Sequence, residues 1–394
     1  MKPSQPSFFI LIALIGGLAI FSSTLSKTPV LPLFALSLNA TPAEIGWIVM
    51  ASTIPGILIS YPAGALSDHL GQRRVLLASL SVFASAPFLY LVIESAWQLM
   101  AVRFYHGFAT AIFGTVASAA IAERYTEDRA ARLSTYSSVT IVGRSIAPFL
   151  GGTLISLASF GAVYIACAIA GVLALAAGLL LRDDTPPPAK KQALPHFWPS
   201  LITVLRDRGI MLASLVEAAQ YLVFGAIEAF LALFAASLGT PAWQIGVILG
   251  VQLVSIVFIK PLMGKVSDRV GRRRVILPGL LVGAASVALL PAFPSFVGLT
   301  VLSLVFGLGF ATVTSSTAAL VADLTRDGRY GSSMGVLRTV MDVGQSIGPV
   351  LTGFMVGVAG YASAFTLLAA ILAAAALMLG LLLKGVDKEA PEGL

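Results

Sequence analysis

Charge is scarce in this sequence. Asp, Glu, Lys and Arg make up 11% of the chain, against the roughly 25% of an ordinary soluble domain. Apolar residues supply 57%, more than a water-soluble chain of 394 residues can hide, so the expected solvent is a bilayer. Cysteine is almost missing: a lone Cys167 excludes a disulfide framework and reads as a small apolar filler. Histidine is as sparse, and His69, His106 and His196 are scattered. No metal-ligand cluster and no Ser-His-Asp constellation is legible, so no metal, no cofactor and no enzyme active site is expected. The sequence also lacks a Gly-x-x-x-x-Gly-Lys-Ser/Thr loop, which leaves ATP without an evident binding site.

What is present is long and apolar. A hydrocarbon core of about 30 Å takes roughly 20 apolar residues per helical crossing. Twelve such runs lie near 8–37, 44–66, 74–93, 97–122, 133–157, 160–181, 210–236, 243–263, 275–292, 296–321, 333–357 and 361–383. Each is too long and too weakly alternating for a barrel strand, and the first is too long for a cleaved signal peptide. The expected fold class is therefore an all-α membrane protein with 12 transmembrane helices in two pseudo-symmetric six-helix bundles, residues 1–181 and 210–384. Residues 182–209, with Pro186-Pro187-Pro188, form the expected linker, and 385–394 a short tail. The piece Leu194–Arg208 reads equally as an interfacial helix or as plain linker.

A net charge of +7 raises the question of nucleic acid, and its distribution answers it. Every Lys and Arg except Lys27, Arg103, Arg144, Lys260 and Arg338 falls in the amino terminus, the even-numbered turns or the tail. The opposite turns carry only Glu44 and Glu94. Positive charge marks the cytoplasmic side, so both termini are expected inside. The expected partners are the lipid bilayer, a small molecule and protons, with no nucleic acid. A monomer in a bacterial inner membrane is expected.

The chain repeats itself at one long period, which points to a duplicated architecture. Gly64-Ala65-Leu66-Ser67-Asp68-His69-Leu70-Gly71-Gln72-Arg73-Arg74 returns as Gly264-Lys265-Val266-Ser267-Asp268-Arg269-Val270-Gly271-Arg272-Arg273-Arg274, displaced by 200 residues. Asp68 ends a helix, Gly71 permits the reversal, and Arg73 and Arg74 stay at the phosphate level. Glu123 and Asp323, again 200 apart, stand where they can pair with these arginines. The recurrence of Gly64, Asp68, Gly71 and Arg73 as Gly264, Asp268, Gly271 and Arg273 favours a cytoplasmic gate latch over charge that only sets topology. A second repeated device is Gly143-Arg144-Ser145-Ile146-Ala147-Pro148-Phe149-Leu150-Gly151-Gly152 and Gly344-Gln345-Ser346-Ile347-Gly348-Pro349-Val350-Leu351-Thr352-Gly353. There Gly151, Gly152 and Gly348 allow close packing, and Pro148 and Pro349 are expected to kink their helices.

Charge inside a span costs roughly 2.5–3.5 kcal/mol on insertion scales and marks a functional candidate. Lys27, Arg103, Arg144, Glu217, Glu228, Arg338 and Asp342 qualify, with Lys260 nearer the inner edge. Register sets Lys27 beside Ile227 and Thr28 beside Glu228, so Lys27 and Glu228 read either as a pair released by substrate or proton or as a static ion pair. Glu217 shares a helix face with Gln220, Phe224 and Glu228, its carboxylate about 16 Å from that of Glu228 along the axis. It reads as a proton carrier or as a snorkelling interfacial residue. Tyr221 and Phe224 supply apolar contact. Arg103 and His106 share a face; His106 is a titratable candidate or a buried neutral ring. Arg338 and Asp342 stand four apart and can pair along their helix.

These residues resemble the major facilitator superfamily over essentially the whole chain. The first loop is similar to its signature Gly-x-Leu-x-Asp-x-x-Gly-x-Arg-Arg, matched at Gly64, Leu66, Asp68, Gly71, Arg73 and Arg74. Arg103-Phe104-Tyr105-His106-Gly107-Phe108-Ala109 resembles the Arg-x-x-Gln-Gly-x-Gly motif, with His106 for Gln and Ala109 for Gly. The segment with Gly143, Pro148, Gly151 and Gly152 resembles that of the 12-helix drug–proton antiporters, with Ala147 where a Gly precedes Pro. The resemblance implies alternating access about a central site between halves related by an axis along the membrane normal, and a part in proton transfer for Arg103.

The function expected is therefore a proton-coupled exporter of a small organic molecule. The intramembrane cations Lys27, Arg103, Arg144 and Arg338 outnumber the acids Glu217, Glu228 and Asp342, which favours anionic, zwitterionic or amphiphilic cargo. The alternatives are an organic-anion symporter or exchanger and, remotely, a non-transporting membrane sensor.

Overall fold

The computed structural model describes residues 5–181, 204–325 and 330–382, without the side chains of 5–7, 60–65, 68, 69, 130 and 331. The expected side-chain role of Asp68, the surroundings of Gly64, most of the expected interfacial piece and the tail lie outside the described residues. Among the described residues regular structure is all helical, as expected for a chain whose backbone must satisfy its own hydrogen bonds in hydrocarbon. Eleven helical segments are long and apolar enough to cross a bilayer. Large apolar side chains point outward along them, Leu157, Phe258, Val358 and Trp97 among them. This is an integral, multi-pass membrane protein.

The last of the eleven segments, Ser332–Leu381, holds 50 residues, about 75 Å of helix at 1.5 Å per residue. That far exceeds a core of about 30 Å. Its helix Tyr330–Leu382 is broken at Gly360, where φ 79° and ψ 175° are not helical. The break falls between the expected runs 333–357 and 361–383. Two further interruptions lie within runs that the sequence reads as continuous. Gln5–Leu25 and Val30–Ser37 are separated at Pro29, whose ring removes a backbone donor. Pro42–Ala51 and Ile54–Leu70 are separated at Ser52-Thr53, just before Pro55.

The duplication is visible in the backbone. Helices Gln72–Leu89 and Ala96–Arg124 return as Arg272–Leu289 and Phe296–Leu324. The short 3-10 turns Tyr90–Val92 and Leu290–Ala292 match as well. Gly71 (φ 88°, ψ 139°) and Gly271 (φ 102°, ψ 138°) take the same left-handed conformation, one that only glycine adopts without strain. Ser95 and Ser295 both cap a helix, accepting from Gln98 N and Gly298 N.

Packing divides the chain into two compact units, Met1–Lys191 with Ala236–Gly250, and Gln192–Ala235 with Val251–Leu394. In the first, buried Phe83, Phe113, Ile12 and Ile15 centre the core. The segment Ala236–Gly250 joins this unit through close backbone approach: Gly152 lies against Gly246, and Trp243 N donates to Ser156 Oγ at 2.9 Å. In the second, the helix Arg208–Ser237 is buried nearly all round. Gly344 and Gly348 pack on the backbone of Ala218 and Leu222 in that helix.

Candidate functional site

In the first unit the chemistry gathers around Arg103. The helix Ala96–Arg124 buries Arg103 and His106 one turn apart, at 4% and 2% exposure. Gly107, with no side chain, brings this helix against the Ser52 carbonyl, at the interruption of the second run. Arg103 Nη2 donates to Ser52 Oγ at 2.9 Å, and Nη1 to Tyr90 Oη at 3.4 Å. Tyr90 Oη also lies 3.2 Å from His106 Nδ1. Tyr90 Oη thus links the guanidinium to the imidazole, and the tautomer of His106 sets which of Oη and Nδ1 donates. Tyr164 stacks on Tyr90, centroids 4.5 Å apart and planes 15° from parallel, and Phe83 sets its edge on the imidazole at 5.7 Å. Lys27 is half-buried in the turn before Pro29. Arg144 is exposed on the helix Arg129–Leu157 and is not among the hydrogen-bond partners of Arg103.

In the second unit the carboxylates line one stripe of Arg208–Ser237. Glu217, Gln220, Phe224 and Glu228 are all buried there. Glu217 is 3% exposed and accepts a hydrogen bond from Thr317 Oγ1, so it does not snorkel. Lys260 acts on it electrostatically from an exposed position on the helix Ala242–Val270. Both polar atoms of Gln220 are buried without a partner. One turn on, Tyr221 and Phe224 close around Phe310, with centroids 5.0 and 4.5 Å away. Arg338 is exposed and Asp342 half-buried. Arg338 acts on Asp342 electrostatically, but no ion pair between them forms among the described residues.

In both repeated loops the acid expected at the gate, Glu123 or Asp323, has a hydrogen-bond partner. Glu123 accepts from Gln72 Nε2 at 2.7 Å, and Asp323 from Arg272 Nε at 2.9 Å, in each half one residue before the expected arginine. Arg272 also reaches Asp268 and, at 2.8 Å, Ser267 Oγ. The next residue caps a helix instead. Arg73 donates to the carbonyls of Leu181 at 2.5 Å and Leu179 at 3.1 Å, and Arg273 to that of Gly380 at 2.6 Å. Each thus satisfies orphan carbonyls at a helix C-terminus, where positive charge is favoured. Arg74 is exposed. The helices run on through Pro148 and Pro349, while Gly151 and Gly152 admit Val30 and Gly246 at close range.

Ser52, Tyr90, Tyr164, Thr317, Gln72 and Arg272 were not legible as site residues. Apart from Gln72 and Arg272, no sequence motif carries them. Arg272 sits in the repeated loop, where its charge stands against Gln72 in the other copy.

The comparisons bear on the whole chain. The family description "Major Facilitator Superfamily" matches residues 12–251 and 213–393. An uncharacterized MFS-type transporter of Methanocaldococcus jannaschii is 22% identical over 341 residues, 86% of this chain and 88% of that protein. The multidrug transporter MdfA of Yersinia pestis is 25% identical over 178 residues, 44% of each chain. A crystal structure of a variant of the nucleoside transporter NupG shares the fold, with TM-score 0.82 at 14% identity over 95% of this chain and 99% of that one. With a twinned backbone and matches that reach from residue 12 to residue 393, the chain belongs to the Major Facilitator Superfamily of transporters.

Proposed function

We propose that the protein is a secondary active transporter that exports a small organic anionic, zwitterionic or amphiphilic compound in exchange for protons, by alternating access. Its chain crosses a bacterial inner membrane twelve times with both termini inside, the break at Gly360 serving as the last outer turn. The observation that carries the reading is the buried carboxylate of Glu217, held by Thr317 inside a membrane-spanning helix. A carboxylate there exchanges a proton for a hydrogen-bonded charge, which is what a coupling site requires. Glu228 on the same stripe and Asp342 are the further carriers, and Tyr221 with Phe224 offers the cargo an apolar wall. The multidrug transporter among its relatives supports the exporting direction. A proton moving down 100 mV releases about 2.3 kcal/mol, enough for roughly a 50-fold gradient of neutral cargo.

A second reading, an organic-anion symporter or exchanger, is favoured by Arg103, a buried cation with no carboxylate among its hydrogen-bond partners. The test is a cargo panel in proteoliposomes under an imposed proton gradient. Gradient-driven uptake of anionic or zwitterionic amphiphiles into the acidic lumen supports export by exchange. Movement of a lipophilic cation such as ethidium alone contradicts the cargo class, and anion accumulation on the alkaline side favours symport.

A further inference from the structure

The two halves of the chain provide a control for one another. In the first unit Arg103 bonds Ser52, and in the second Ser303 Oγ bonds Gln252 Oε1 at 3.1 Å, both across 51 residues. Gly107 faces Ser52, and Gly307 faces Gln252 and Ser255. Phe34 meets Tyr164 at 5.3 Å, and Phe234 meets Phe365 at 5.4 Å. The scaffold is therefore the same, but its contents are not. Where the first unit has Tyr90, Arg103, His106 and Tyr164, the second has Leu290, Ser303, Phe306 and Phe365. Ser303 has its partner, and the others are hydrocarbon. None of the four twin positions carries a charge.

The first unit fills it with donors and leaves several unused. Arg103 Nε, His106 Nε2 and Tyr164 Oη are buried and have no hydrogen-bond partner among the described residues. Arg103 Nε–H is a fixed donor and Tyr164 Oη can donate its proton, while His106 Nε2 donates in the tautomer that leaves Nδ1 to accept from Tyr90. Arg103 cannot shed its charge, and its partners are two neutral hydroxyls. A buried cation without a counter-charge is strongly disfavoured. Moreover, the spans of the first half hold Lys27, Arg103 and Arg144 but no acid between Glu44 and Glu94 or between Glu94 and Glu123 other than Asp68 at the inner turn. Donors gathered around a fixed positive charge attract an anion and repel a cation.

We propose that the Arg103 cluster is a binding site for a small monovalent anion, held by the Arg103 guanidinium with His106 Nε2 and Tyr164 Oη. The near-complete burial of Tyr90 and Tyr164, each 1% exposed, limits the occupant to a halide or a carboxylate no bulkier than acetate. The inference goes beyond the exchange cycle above. It is read on protein in detergent with no gradient, so its failure and the failure of proton coupling are separate results.

The experiment compares thermal unfolding of the full-length protein in sodium chloride, sodium acetate and sodium gluconate at matched ionic strength. A saturable rise in Tm with chloride, absent with gluconate, is expected for the wild type. Tyr164→Phe, which installs the residue its twin position already holds, is expected to raise the half-saturating chloride about threefold to tenfold, as for one lost hydrogen bond. Arg103→Gln is expected to flatten the curve. Saturation by acetate and not by chloride identifies the occupant as a carboxylate. Crystals grown in bromide provide a reading on the unmutated protein: an anomalous peak beside Arg103 supports the site. Coincident chloride, acetate and gluconate curves, or a half-saturation unmoved by Tyr164→Phe, would overturn it.

Discussion

Gly107→Ala is the substitution on which the Arg103 site should turn. A methyl group at residue 107 would overlap the Ser52 carbonyl oxygen and stand 3.0 Å from Ser52 C and Pro55 Cγ. Ordinary carbon contacts need about 3.5–4.0 Å, so the helix Ala96–Arg124 must retreat from Ser52 by most of an ångström. Overpacking of this kind costs about 1–3 kcal/mol. The same retreat stretches the 2.9 Å bond from Arg103 to Ser52 beyond hydrogen-bond range, and a bond from a charged group contributes about 1.5–3 kcal/mol. Together the two effects come to roughly 2.5–6 kcal/mol. At about 2–4 °C per kcal/mol for units of this size, Tm should fall by at least about 5 °C. Gly114, on the same helix with nothing within 4 Å, is the control. Gly114→Ala should be neutral or stabilising by up to about 1 kcal/mol through helix propensity. The assay is thermal unfolding of both variants in one detergent. A Gly107→Ala protein within 2 °C of wild type, or equal losses in both variants, would refute the reasoning.

Arg73→Gln should lower stability by about 1 kcal/mol, because Arg73 caps the carbonyls of Leu179 and Leu181 at a helix C-terminus. Exposed Arg74→Gln should stay within about 0.5 kcal/mol, and equal effects in a denaturation series would remove the capping role. Glu217→Gln retains an oxygen that accepts from Thr317 while abolishing the charge. It should fold normally and support cargo-for-cargo exchange, yet lose proton-driven accumulation. Undiminished accumulation would make Glu217 structural.

The spans were legible because bilayer thickness dictates run length and because proline and glycine mark the turns. The same rule reads straight past Pro29 and the Ser52-Thr53 interruption, since a short break inside an apolar run leaves hydropathy unchanged. The repeat at 200 residues was legible, and it carries over to Gly71 and Gly271 in matching backbone conformation. The partners of the charged residues were not. Ser52 and Tyr90 stand 51 and 13 positions from Arg103, on separate elements, and a lone Ser or Tyr announces nothing. The repeated turn shows the limit most clearly. Arg73 and Gln72 are neighbours in sequence, but helix geometry points one at the end of Phe160–Leu179 and the other at Glu123. Glu217 sits near enough to the amino-terminal end of its helix to suggest snorkelling, and only Thr317 on a distant helix shows why it stays inside.

Proton movement accompanying cargo tests the central claim most directly. Proteoliposomes loaded with a pH-sensitive dye, at equal pH on both sides, receive an inward gradient of the transported amphiphile. Exchange predicts that protons leave as cargo enters, so the lumen turns alkaline, and that Glu217→Gln abolishes the change while cargo still equilibrates. A lumen that turns acidic, or cargo entry with no proton movement in the wild type, would contradict the account.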